Sequence, residues 1–154
     1  MKRLLLLVAL LATSAVMARE LPYNPSADAK ADVRHALKEA HADHKPVLLF
    51  FGANWCPDCR ALAAALKSGR NAKLIASHFN VVKIDVGNFD HNLDVVKHFG
   101  NPIAKGIPAA VIVSPGGTVL YATKAGELSN ARRMSSSGIY GFFETAIHKA
   151  DVHG

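Results

Sequence analysis

Cys56 and Cys59 are the only cysteines in a chain of 154 residues. They stand in the pattern C-x-x-C between two segments of opposite periodicity. Before them, Val47-Leu48-Leu49-Phe50-Phe51 is an unbroken apolar run bounded by Pro46 and Gly52. Such a run reads as a strand buried on both faces, the pattern of a central or parallel sheet strand. After them, Ala61, Leu62, Ala65 and Leu66 repeat at helical spacing, so a helix begins at the cysteine pair itself. A buried strand running straight into a helix is a strong constraint on architecture. The two thiols fall on the turn between them, where reversible disulfide exchange, half of a metal site or a small structural staple are the available chemistries.

Residues 1–18 read as a secretory signal peptide. Lys2 and Arg3 form a positive start, Leu4 to Ala12 an apolar run, and Val16 and Ala18 the small residues of a cleavage site, with cleavage after Ala15 as the alternative. The apolar run is shorter than the roughly 20 residues of a spanning helix, so no stable membrane insertion is expected after cleavage. The remainder, 19–154, is long enough for a single domain with its own core. The formal charge of +6 includes Lys2 and Arg3 and falls to +4 without them. The basic residues left are scattered, with Arg132-Arg133 the only adjacent pair, which gives no support for nucleic acid binding. Export places the cysteines where disulfides persist. The only Asn-x-Ser match, Asn24-Pro25-Ser26, is blocked by proline, which leans toward a bacterial periplasm over a eukaryotic secretory route, with a periplasmic or secreted location expected.

Along the chain, Asn24-Pro25-Ser26 reads as a helix entry, followed by Val33, Ala36, Leu37 and Ala40 at helical spacing and closed by Pro46. Gly69 separates the cysteine helix from a second helical stretch over about 71–79. Val81 to Val86 reads as a second strand, and Leu93, Val96 and Phe99 as a helix ended by Gly100. Ala109 to Val113 and Thr118 to Ala122 flank Ser114-Pro115-Gly116-Gly117 as a β-hairpin, and Ile139, Phe142, Phe143, Ala146 and Ile147 mark a last helix. This order predicts an α/β fold, a small mixed sheet covered by helices on both faces. Residues 123–134 carry no clear pattern. The stretch Ala125 to Gly138 reads as a surface insertion, with a partner-recognition edge as the alternative.

A redox cysteine needs a setting that stabilises its thiolate, and a helix N-terminus supplies one through free amides and the helix dipole. Cys56 is placed there as the exposed, attacking thiol. Cys59, one turn further in and on the same side, is the more buried, resolving thiol. Pro57 suits the first helical turn, where its missing N–H costs nothing. Trp55 either shields the sulfurs or anchors the loop in the core. Ile107-Pro108 stands just before a strand, where a trans proline at the strand start and a cis peptide exposing the Ile107 backbone are both open.

Phe50 to Arg60, containing Trp-Cys-Pro-Asp-Cys, resembles the active-site strand, loop and helix of the thioredoxin superfamily. Lys105-Gly106-Ile107-Pro108, followed by a strand, a Pro-Gly-Gly turn and a second strand, resembles its cis-proline segment and hairpin. The match runs in order over nearly all of 28–150. It implies a thioredoxin fold with a central mixed sheet, a dithiol–disulfide mechanism with Cys56 attacking and Cys59 resolving, and Pro108 in cis. Two departures stand out. Pro57-Asp58 replaces the Gly-Pro of thioredoxin proper, as in a thioredoxin-related subgroup. Phe50 also occupies the place, six residues before the first cysteine, where thioredoxin has a buried aspartate, so the proton acceptor for the resolving thiol is missing or comes from elsewhere.

Asp58 beside Cys56 disfavours the thiolate and so tilts the pair toward a reductant. Between exposed charges about 4 Å apart the effect is about 1 kcal/mol, a few tens of millivolts at most. Two other readings compete. The cysteines of a copper(I)- or other metal-handling protein would need further ligands, and no second C-x-x-C or well-placed histidine pair supplies them. Arg60 excludes the C-x-x-C-H haem attachment pattern. A thioredoxin-fold binding module would have no need of both thiols. The sequence therefore points to an exported thiol–disulfide oxidoreductase with Cys56 and Cys59 as its catalytic pair. Trp55, Pro57, Asp58, Ile107 and Pro108 support them, without cofactor or bound metal. Its partners are protein thiols and disulfides and an unidentified redox partner.

Overall fold

The computed structural model describes residues 21–153; the expected signal segment, residues 1–18, lies outside them. The elements run α1 (Ala29–Asp43), β1 (Val47–Gly52), α2 (Pro57–Ala65), α3 (Gly69–His78), β2 (Asn80–Asp85), α4 (Leu93–His98), β3 (Ala109–Val113), β4 (Val119–Ala122), a 3-10 turn (Ala131–Arg133) and α5 (Ser136–His153). The strands form one mixed sheet in the order β2-β1-β3-β4. β1 is parallel to β2, and β3 is antiparallel to both β1 and β4. The parallel pair requires a crossover, and α2 with α3 provides it.

Every residue of β1 is buried, because successive side chains point to opposite faces and both faces are covered. Val47, Leu49 and Phe51 pack with Val33, Ala36 and Ala40 of α1 and with Val95, Val96 and Phe99 in and after α4. Leu48 and Phe50 pack with Leu62 of α2, Ile75 of α3 and Phe143 of α5. Phe50 and Phe143 meet edge to face with ring centres 5.8 Å apart. The expected helices on both faces of a central strand are therefore present.

Some boundaries differ from the sequence reading. Asn24 does not start a helix; its side chain accepts from the Ser26 amide at 3.0 Å and holds a turn. α1 begins at Ala29 because Asp28 accepts from the Ala31 amide at 2.9 Å, the usual N-cap bond. The helix ends at His44 in the left-handed region, two residues before Pro46. The hairpin forms as expected. Its turn is closed by bonds from the Ser114 amide to the Thr118 carbonyl (2.8 Å) and from the Gly117 amide to the Ser114 carbonyl (2.9 Å).

The larger difference lies in residues 123–134, which reach into the core where a surface insertion was expected from Ala125 onward. Thr123 is buried and exchanges bonds with the Ala110 backbone, and Leu128 and Ala131 enter the core beside Phe50, Leu62 and Phe143. Of the four apolar residues in these twelve, Leu128 and Ala131 are buried and Met134 packs against the same core, while Ala125 stays exposed. Because Phe143 closes the core that receives this segment, Phe143→Ala should destabilise the protein by about 3–5 kcal/mol in urea unfolding; a loss below about 1 kcal/mol would contradict this packing.

Candidate functional site

β1 delivers the chain to Gly52, and Ala53-Asn54-Trp55 turn it into α2. Cys56 is the N-cap residue of α2, in extended conformation, with Pro57 in the first turn. The Cys59 amide donates to Cys56 Sγ at 3.1 Å, so a sulfur occupies the place of the usual capping oxygen. Both cysteines are free thiols. The first expectation to be corrected is exposure: Cys56 is only 4 % exposed, against 0 % for Cys59. Cys56 remains the outer of the two, and its sulfur lies 3.8 Å from the Ile107 carbonyl oxygen.

The pKa values of the two thiols are pushed in opposite directions. The Cys59 thiol donates to Cys56, and the amides of Cys59 and Asp58 add to it, so Cys56 is lowered from 9.0 to about 7 against the opposing pull of burial and the Asp58 carboxylate. Cys59 is pushed well above the usual thiol range because its proton serves Cys56 and because it is buried. One sulfur takes the charge and the other keeps the proton.

Asp58 differs from the exposed carboxylate assumed above. It is 9 % exposed and accepts from the Arg132 amide at 3.0 Å, with the Arg132 guanidinium Nε 3.8 Å away. The pattern-free segment thus reaches the active-site helix directly. It also touches the other half of the site. A side chain at Gly126 would run into the Lys105 carbonyl oxygen at 2.6 Å, and one at Gly106 would meet Ser129 at 3.2 Å. Residues 126–132 therefore brace both α2 and the loop leading to Ile107-Pro108, whose peptide bond is cis.

Trp55 does not anchor the loop in the core. Its ring is 51 % exposed, its Nε1 donates to the Gly87 carbonyl at 2.8 Å, and it packs edge to face on Phe89. Trp55, Pro57, Asp58, Ile107 and Pro108 all gather around the cysteines. Sequence reasoning missed Arg132, Phe89, Tyr23 and Asn54. Asn54 clasps the backbone of Tyr23, accepting from its amide at 3.0 Å and donating to its carbonyl at 2.8 Å. The Trp-Cys-Pro-Asp-Cys loop could have drawn attention to Asn54 next to it; nothing in the sequence ties it to a residue 31 positions earlier. Among the described residues, no three of His, Cys, Asp and Glu converge as a metal site would require, and no helix is long and apolar enough to cross a membrane.

Residues 28–115 match a family model described as thioredoxin-like. The chain is 56 % identical to a disulphide isomerase from Xylella fastidiosa Temecula1, over 83 % of this chain and 98 % of that one, with a TM-score of 0.81. Two more distant structures share the fold: a DsbH oxidoreductase (19 % identity, 92 % and 94 % of the chains, TM-score 0.57) and a thioredoxin from Thermus thermophilus (19 %, 75 % and 81 %, TM-score 0.51). No curated protein matches. With a C-x-x-C capping the helix that follows the central strand, and with these similarities over most of its length, the chain belongs to the thioredoxin-like family of disulfide oxidoreductases.

Proposed function

We propose that this protein is an exported reductant of protein disulfides, with Cys56 as nucleophile and Cys59 as resolving thiol. The observation that carries the reading is the split between the thiols: Cys56 lowered to about 7 while Cys59 keeps its proton. Near neutral pH about half of Cys56 is thiolate, close to the optimum for an attacking thiol. It attacks one sulfur of a client disulfide, forming a mixed disulfide and releasing the other client sulfur as a thiolate. Cys59 then loses its proton and attacks Cys56 Sγ, closing the Cys56–Cys59 disulfide and freeing the reduced client.

Direction follows from how strongly the dithiol form is stabilised. A lower thiol pKa stabilises the reduced protein and makes it a better oxidant. The strong oxidant DsbA has its cysteine at about 3.5, whereas thioredoxin, a reductant, has its own at about 7. Cys56 stands with the reductant. The Asp58 carboxylate contributes by opposing the Cys56 thiolate. The similar Xylella protein is a disulphide isomerase, an activity that also starts from a reduced dithiol attacking a disulfide. Trp55, Pro57, Ile107 and Pro108 support the pair by walling the sulfurs and setting the first turn of α2. Residues 1–18 supply export, placing the protein in the periplasm or outside the cell, where client disulfides persist. There it needs a separate redox partner to return it to the dithiol.

Cys59→Ser should accumulate mixed disulfides through Cys56 when the cell's exported proteins are present, visible as adducts that dissolve on adding reductant; no adduct would sink the reading. The alkylation rate of Cys56 should rise with pH to a half-maximum near 7, because only the thiolate reacts; a midpoint near that of an ordinary thiol would contradict the site's electrostatics. The reduction potential should lie nearer to about −270 mV than to about −120 mV. Asp58→Asn, which keeps an acceptor for the Arg132 amide, should raise it by a few tens of millivolts. A fall would reverse the role given to Asp58. N-terminal sequencing of the protein from its own cell should begin near Arg19.

A further inference from the structure

Tyr23 precedes α1, outside the residues matched by the family model. Yet its ring is 4 % exposed and packs in the core with both cysteines. Its hydroxyl lies over the Cα of Gly52, the last residue of β1. A Cβ built on Gly52 would collide with Tyr23 Oη and at the same time stand 3.0 Å from Cys59 Sγ. The absence of a side chain at Gly52 leaves the phenol and the buried sulfur bordering the same space. The two-bond clasp from Asn54, two residues before Cys56, holds the Tyr23 backbone in register with the active-site turn.

Resting on the proposed exchange reaction, we propose that the Tyr23 hydroxyl, held by Asn54 over Gly52, donates a hydrogen bond to Cys59 Sγ as that sulfur gains negative charge. In the resolving step Cys59 gives its S–H proton to solvent, its thiolate bonds to Cys56 Sγ, and the bond from Cys56 to the client sulfur breaks. The client leaves as a thiolate that takes up a proton. The negative charge passes through a sulfur buried among apolar groups, and Phe50 occupies the position where thioredoxin has a buried acid. A neutral donor aimed at that sulfur lowers the cost of the charge, since bonds to ionised groups are the strong ones. Tyr23 suits this role and not that of a base. Burial first, then the charges of Cys59, Cys56 and Asp85, hold its phenol protonated well above the ordinary range, so it enters the step as a donor.

An aromatic disulfide such as DTNB separates the two half-reactions. Attack by Cys56 releases one nitrothiophenolate, and attack by Cys59 on the resulting adduct releases the second. Tyr23→Phe keeps the ring and removes only the hydroxyl. It should leave the first release unchanged and slow the second about tenfold. Asn54→Ala, which loosens Tyr23 without touching either sulfur, should slow the same phase by a smaller factor. In a Cys56→Ser background, Tyr23→Phe should also move the alkylation midpoint of Cys59 to higher pH. The groups acting on that sulfur are Cys56, replaced in this background, the Ala53 backbone and Asp58 in α2, while Asp85 at the end of β2 acts on Tyr23; the substitution changes only Tyr23. Equal slowing of both releases, or of neither, would overturn the assignment. A wild-type protein that released only the first thiolate would refute the exchange reaction itself, and the role of Tyr23 with it.

Discussion

Burial of β1 on both faces is the constraint from which the rest of the molecule follows. Its five side chains, Val47 to Phe51, serve two cores at once, so a one-residue slip would turn each set toward the wrong helices. That registers β1 against β2 and β3, and it fixes where Gly52 ends. The helix carrying the cysteines starts five residues beyond that point, so the position of the sulfurs is inherited from the strand. Phe50 belongs to this constraint. It packs on Phe143 and lines the core that seats Leu128 and Ala131, and a carboxylate there would be buried among hydrocarbon at considerable cost.

The site divides one proton between two sulfurs. The bond from the Cys59 thiol, with the amides at the helix start, favours charge on Cys56, while that same bond and then burial keep the proton on Cys59. The arrangement suits a protein whose outer thiol attacks and whose inner thiol waits. Asp58 would upset it if left alone beside Cys56. Its bonds to Arg132 take up part of its charge and tie the segment after the hairpin to the first turn of α2. Because the same segment rests against Lys105 and Gly106, the two motifs of the site share one brace.

Much of this was legible from the residues. The double burial of 47–51, the helix starting at the cysteines, the hairpin around Pro115-Gly116-Gly117 and the helix stopped at Gly100 all rest on patterns within a few residues, and all are present. Three readings failed together, and for a shared reason. Exposure of Cys56 and of Asp58, and a surface place for the stretch from Ala125, each depend on what another part of the chain covers. Leu128 and Ala131 stand in a mostly polar stretch that does not announce a buried face, and Arg132 looks like surface charge until its amide is found on Asp58.

By itself, then, the sequence determined the chemistry and the scaffold. Two thiols three residues apart at the end of a doubly buried strand specify a strand-turn-helix that presents them together, because periodicity and turn geometry act locally. Only the tertiary structure decided the environment of those thiols. Which backbone amide Asp58 holds, where the Tyr23 ring is seated, and how far Cys56 is covered depend on contacts between residues 31 to 74 positions apart. Desolvation and hydrogen bonding, the forces that set the protonation of each sulfur, are properties of that assembled environment and of no local pattern.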